Sequence, residues 1–195
     1  MNDAESGDDA GAREPRAVVL DLLPNGRPDD DRPAHRKPPL AYALGESQFR
    51  LRELTLAEDA DISIGDRIQF DGEGVESSRE VAYEDLSNAA RSELEYAAEE
   101  IIDRDEARFV DFYNDAQPIT LRLHQLNLLP GIGKKLRNSI LDERKREPFD
   151  GFDDLEERVA GLHRPKEILV ERLIEELRDD DLKYRIFVGR DPNEG

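Results

Sequence analysis

The sequence contains no cysteine, and that absence removes several kinds of chemistry at once. Disulfides, thiolate zinc sites and cysteine nucleophiles are excluded. Histidine is scarce too: His35, His124 and His163 stand without metal-ligand spacing, so no metal centre is expected. Neither a Gly-x-x-x-x-Gly-Lys-Ser/Thr loop nor a Gly-x-Gly-x-x-Gly fingerprint occurs. No apolar run approaches the roughly 18 residues of a membrane span, and Met1 to Glu14 holds no apolar signal segment. A soluble, cytoplasmic protein with no cofactor and no membrane association is the expectation.

Lysine is the next shortage. It occurs only as Lys37, Lys134, Lys135, Lys145, Lys166 and Lys183, the rest of the 28 basic residues being arginine. Asp and Glu number 47, for a formal charge of −19. Alone, that balance argues against nucleic acid and for a basic partner. A surface dense in acids and poor in lysine, however, resembles proteins of salt-loving archaea, where acidity is a whole-proteome trait. In molar salt the Debye length falls to about 3 Å, so net charge does not veto an anionic ligand.

What stands out against this background is Leu123 to Val159, centred on Pro130-Gly131-Ile132-Gly133-Lys134. Leu123, Leu126 and Leu129 recur every third residue, as one face of a short helix requires, and Pro130 closes it. Gly131 and Gly133 free the backbone for φ > 0 or close approach, with Ile132 placed to anchor the loop. A second helix follows, with Leu136, Ile140 and Leu141 at helical spacing. Backbone N–H groups at such a helix start suit a phosphate. Lys134 and Lys135 stand in the first turn, against the helix dipole, so stability gives no reason for them. From Arg122 to Arg146 seven basic residues (Arg122, Lys134, Lys135, Arg137, Arg144, Lys145, Arg146) face only Asp142 and Glu143.

These residues resemble the helix-hairpin-helix motif, which grips nucleic-acid backbones without reading sequence. Arg144 to Glu147, Pro148-Phe149 and Phe152-Asp153-Asp154-Leu155 follow its usual ending. Lys134 departs where the motif often has Pro, and Arg137 where a small residue is common. Val159-Ala160-Gly161-Leu162-His163-Arg164-Pro165-Lys166 looks like a decayed second copy, with His163 in place of the second glycine. That copy is expected to serve the core, with Arg164 and Lys166 as secondary contacts.

Elsewhere the chain reads as short elements. Residues 1–15 are expected to be a disordered acidic tail. Residues 16–83 hold short strands at Arg16–Leu23, Leu40–Leu44, Phe49–Leu56 (its phase shifting at Leu54/Leu56, as a bulge or bend would produce), Arg67–Phe70 and Val75–Tyr83, suggesting a small antiparallel OB-like barrel. Leu86, Ala90, Leu94, Ala97 and Ile101 set an amphipathic helix over 84–103, and Phe109 to Tyr113 a shorter one. Residues 84–116 are expected to bridge to a tandem hairpin domain at 117–178. Lys183 to Val188 reads as a final strand inside a 179–195 tail. The fold class is α+β.

The whole chain resembles the archaeal family called domain of unknown function 655, through "AVVLDLLPNGRP", "PLAYALGE", "SELEYAAEEI", "RFVDFYNDAQPITLRLHQLNLLPGIGKK" and "VAGLH". That resemblance implies a small N-terminal barrel, tandem hairpins and an RNA-binding role. RNA is therefore expected over DNA as partner. The sites expected to carry it are Pro130, Gly131, Ile132, Gly133, Lys134, Lys135 and Arg137, then Gly161, Arg164 and Lys166. From the barrel, Arg50, Arg52, Arg67 and the Arg32/His35/Arg36/Lys37 loop are candidates, beside the reading of an ordinary solvated surface. No catalytic set assembles: Asp150, Asp153 and Asp154 follow the hairpin, where related glycosylases keep a catalytic Asp, but in the non-catalytic ending. An adaptor that docks proteins, such as a basic ribosomal protein, is the competing expectation.

Overall fold

The computed structural model describes residues 16–189, so the expected tail at 1–15 and the last residues of the chain lie outside it. Five antiparallel strands, β1 (Arg16–Leu23), β2 (Leu40–Gly45), β3 (Leu51–Leu56), β4 (Arg67–Gln69) and β5 (Val75–Glu80), form one sheet in the order β4-β1-β2-β3-β5. β4 and β5 are consecutive in the chain yet lie at opposite edges. Two successive turns join them, closed by Gly72 N–H to Gln69 C=O and Val75 N–H to Gly72 C=O, both 3.1 Å. Two such turns span at most about 14 Å, whereas the edges of a flat five-stranded sheet lie about 19 Å apart. The connection therefore curls the sheet into a half-barrel. β4 and β5 are not paired, so the expected barrel does not close.

Both faces of the central strands β1, β2 and β3 are buried. Ala17, Val19, Ala41, Ala43, Leu54 and Leu56 fill the inner face. Val18, Leu20, Tyr42, Leu44 and Leu51 face the helices. This is why β1 is a continuous apolar run rather than an alternating one. The bulge or bend expected at Leu54/Leu56 lies on one side of β3 only, for the β2–β3 ladder runs unbroken from Leu40–Thr55 to Leu44–Leu51. Leu51 and Leu54 simply belong to opposite faces, and the irregularity lies on the β5 side, between Thr55 and Leu56.

A bulge does occur in β1, between Val19 and Asp21. Asp21 accepts the Ser87 hydroxyl at 2.5 Å, and Ser87 Oγ in turn accepts Ala90 N–H at 3.1 Å. Ser87 thereby caps α1 (Asn88–Arg104) and ties it to the sheet. α1 packs on β1 and β2 on one side and on α5 (Pro165–Arg178) on the other. One continuous core runs from the sheet through all the helices. The helices expected to bridge two lobes are thus the middle of a single apolar interior, with α2 (Glu106–Asp115) behind α1.

The segment Lys183–Val188 corrects a second expectation, for it runs through bends and a turn and is not a strand. Its N–H groups are taken by Glu176 of α5, which is fully buried. Glu176 accepts Ile186 N–H at 2.6 Å, Phe187 N–H at 2.9 Å and Val188 N–H at 3.0 Å. Arg172 donates to Glu176 at 3.0 Å and to the Tyr184 carbonyl at 2.6 Å. Phe187 is thereby set among Phe49, Phe109 and Phe112, with ring centroids 5.8 to 6.3 Å away.

Phe49 has φ of 52°, a costly conformation for a bulky residue. Arg108 compensates, donating to the carbonyls of Glu46 (2.8 Å) and Ser47 (2.5 Å) while its guanidinium lies over the rings of Phe49 and Phe109. Replacing Glu176 by Ala leaves three buried amides without acceptors and Arg172 without its inner partner. Urea unfolding of Glu176→Ala is expected to show a loss of about 3–5 kcal/mol.

Candidate nucleic-acid interface

The two segments expected to be hairpins share one backbone device. Leu129-Pro130-Gly131-Ile132 and Val159-Ala160-Gly161-Leu162 are both turns closed from the fourth N–H to the first C=O, at 3.2 and 3.1 Å. Glycine is third in each, at φ of 77° and 88°. Type II turns need φ > 0 at that position and favour Pro before it. The first turn leads into α3 (Lys134–Arg146) with Gly133 as N-cap. The second follows α4 (Phe152–Arg158) and leads into α5 one residue later, with Arg164 as N-cap at φ of 51°.

The turns lie together. A side chain on Gly161 would meet Leu136 of α3 at 3.5 Å, and Pro130 and Arg164 line one groove.

The first helix of the leading hairpin is shorter than its leucine spacing suggests, a 3-10 helix at Gln125–Leu128. His124 caps it, its Nδ1 accepting Leu126 N–H at 3.1 Å, and Pro130 follows it closely. Asn127, hidden among the leucines, was not singled out from the sequence. Its Nδ2 donates to the Ile132 carbonyl at 3.2 Å, and its Oδ1 accepts Arg137 Nη1 at 3.1 Å. It staples the turn to α3. A polar residue inside a Leu-Asn-Leu-Leu run was the available signal.

The glycines divide their work. Gly131 needs its conformation, and nothing lies within 4 Å of a side chain there. Gly133 has φ of −88° and equally open surroundings, so no conformational or packing demand selects it. Ile132 N–H is consumed by the turn, which corrects its expected role as a phosphate donor; its side chain is buried as an anchor. The N–H groups of Gly131, Gly133, Lys134 and Lys135 have no acceptor among the described residues.

The seven cations of this stretch separate by environment. Arg146 alone is ion-paired, to Glu143 at 3.2 Å. Arg144 donates to the carbonyls of Tyr113 (3.0 Å) and Ala116 (2.9 Å), closing the end of α2, and burial lowers its pKa. Arg137 meets only the amide oxygens of Asn127 and Asn138. The ammonium groups of Lys134, Lys135 and Lys145 and the guanidinium of Arg122 have no acceptor among the described residues, and all four side chains are exposed.

Four of the other nine basic candidates, Arg32, Arg50, Arg67 and Lys166, meet carboxylates. Lys166 pairs with Asp103 at 3.0 Å, which raises its pKa and withdraws it from the expected set. Arg164 stays exposed, without an acceptor among the described residues. Arg32, Arg50 and Arg67 pair with Asp30, Glu80 and Glu46. Arg52 lies over Phe70. Asp154 accepts Asp150 N–H and pairs with Arg158 at 2.9 Å, and those contacts hold its carboxyl below the usual range. Arg158 also donates to the carbonyls of Glu143 (2.8 Å) and Glu147 (2.7 Å), closing α3. No group of three or more His, Asp or Glu among the described residues is placed to hold a metal ion, and no described helix is long and apolar enough to cross a membrane.

A half-barrel sharing its core with a helical lobe that carries two like turns defines a small protein of the α+β class. Within it, the chain belongs to the protein family of unknown function DUF655, whose model matches residues 13–189. It is 41% identical over 180 residues to the uncharacterized protein MJ0038 of Methanocaldococcus jannaschii, covering 88% of this chain and 78% of that one. The crystal structure of Af1531 from Archaeoglobus fulgidus, of the same family, matches with a TM-score of 0.83 and 44% identity. That match covers 90% of this chain and 99% of the other.

Two measurements test this geometry. Gly131→Ala is expected to cost about 1–2 kcal/mol through its positive φ, while Gly133→Ala stays within about 0.5 kcal/mol in urea unfolding, entropy gain and weaker capping offsetting each other. For His124, burial first and then the charges of Arg144 and Arg137 lower the pKa below 6.5. The unfolded chain thus takes up a proton that the folded one refuses, and this contribution to stability is lost as pH falls below about 6.5. His124→Asn should flatten that part of the stability–pH curve.

Proposed function

We propose that this protein is a non-catalytic nucleic-acid-binding protein that holds the sugar-phosphate backbone, without reading sequence, through the turn at 129–135. In this reading the segment 117–178 is a tandem helix-hairpin-helix domain and the half-barrel an OB-like unit. The N–H groups of Gly131, Gly133 and Lys134 receive a phosphate at the start of α3. Lys134, Lys135 and Arg137 neutralise its neighbours, and Gly161 and Arg164 extend the contact from the second turn.

One observation carries the proposal: in a chain of −19, Lys134 and Lys135 stand without a carboxylate at the N-terminus of their own helix. There they work against the dipole. Helix stability is poorer for them, and an anionic ligand is what repays it. RNA is favoured over DNA on the family resemblance. Contacts of this kind position a protein on a strand and carry no sequence information.

Gly133→Asp separates binding from folding. Aspartate is a preferred N-cap and suits the positive end of a helix, so thermal stability should hold or rise. The same carboxylate occupies and repels the phosphate position. Filter-binding with RNA and DNA oligonucleotides over a salt series should show wild-type affinity falling with salt. Lys134→Gln/Lys135→Gln should lower the log–log slope by about 1.4 to 1.8, at 0.7 to 0.9 per phosphate. Binding by Gly133→Asp equal to wild type would overturn the proposal, and salt-independent retention of a basic protein instead would favour the adaptor reading.

A further inference from the structure

We propose that Leu121 is a wedge that enters between neighbouring nucleotides of the bound strand, so that unstacked sites such as bulges and mismatches are preferred over regular duplex. The inference rests on the nucleic-acid reading of the hairpin. Leu121 is fully exposed, at 107% relative accessibility, against 50% for Ile64 and 71% for Tyr96, the other large apolar residues left outside the core. A lone exposed leucine is ordinary. Its mounting is not.

The loop 117–125 is held by a dense set of hydrogen bonds although its apex buries nothing. Ile119 and Thr120 N–H both donate to the Leu123 carbonyl, at 2.8 and 3.0 Å. Thr120 Oγ1 accepts Arg122 N–H at 3.2 Å and Leu123 N–H at 3.0 Å. Below them Pro118 and His124 form a bridge, Gln125 N–H reaches the Gln117 carbonyl at 2.9 Å, and Gln117 N–H reaches Gln125 Oε1 at 2.7 Å. A loop so fixed presents its apolar tip in one place.

The base of that loop is tied to the cationic turn by hydrogen bonds, His124 N–H reaching Asn127 Oδ1 at 3.3 Å. His124, at the base, caps the 3-10 helix that Asn127 staples to Ile132 and Arg137. Leu121 lies three positions before it, so the apex stands within about 11 Å of the base, the length of about three stacked nucleotides. Arg122, next to the tip, has no acceptor for its guanidinium among the described residues. In the proposed complex the strand held by the turn extends over this fixed apolar point, which is flanked by a cation. Leucine is one of the side chains that part base steps in this way. Parting them costs least where a base is mismatched or already unpaired.

The probes are 20-base-pair duplexes, in RNA and DNA versions, with and without a one-nucleotide bulge flanked by 2-aminopurine. Wild-type protein should favour the bulged duplex about tenfold, the scale of burying one leucine, and should raise 2-aminopurine emission on binding. Leu121→Ser, a change at an exposed site, should bind the regular duplex as wild type does and lose both the preference and the emission rise. Leu121→Met should keep them. If Leu121→Ser retains preference and emission while Gly133→Asp weakens both duplexes, the wedge is wrong and the hairpin reading stands. If the wild type binds neither duplex, both are wrong.

Discussion

The structure depends on one buried carboxylate. Glu176 lies inside the helical core, yet its oxygens face three consecutive backbone amides and a guanidinium. A carboxylate in that position is tolerable because every neighbour is a donor. Its effect is to turn the chain after α5 back toward the sheet, so that Phe187 completes an aromatic cluster with Phe49 from the β2–β3 connection and Phe109 and Phe112 from α2. Gly189 N–H then reaches the Gln48 carbonyl at 2.8 Å. Sheet and helices are joined at their far ends by this segment and in the middle by the Asp21–Ser87 cap of α1.

With the core fixed in that way, the face around α3 is free to break the rule that governs the remaining surface. Most arginines there meet a carboxylate, as Arg27, Arg32, Arg67, Arg104 and Arg185 do. Around α3 the pattern reverses. Arg144 and Arg158 are spent on helix ends, and their neighbours Lys134, Lys135 and Arg137 are left without countercharge. The two glycines differ in the same spirit: Gly131 answers to backbone geometry, whereas Gly133 leaves open space over free amides. Fold stability explains the first and not the second.

Much of this was legible in the residues. The three- and four-residue steps of Leu86, Ala90, Leu94, Ala97 and Ile101 located α1, and all five are buried. Pro130-Gly131 marked the turn, and its echo at Ala160-Gly161 marked the second, since both need the same φ. What escaped depends on partners distant in sequence. Lys183 to Val188 has strand composition, but Glu176 claims its amides. Lys166 looks like a free cation until Asp103 is brought beside it, 63 positions away. The alternation in β3 misleads because both sheet faces are covered, so apolar residues no longer mark one side. Asn127 is invisible without knowing that Ile132 and Arg137 converge on it.

The unclosed half-barrel has a consequence of its own. An unpaired strand is a template on which another chain can add a strand, the first step toward fibrous assembly. Here β4 is only three residues long, with Arg67 and Gln69 exposed. In β5, Glu76, Ser77, Ser78, Arg79 and Glu80 are all exposed. An incoming strand would find one rim too brief to register on and the other lined with charge. The molecule therefore keeps its sheet open without inviting polymerisation.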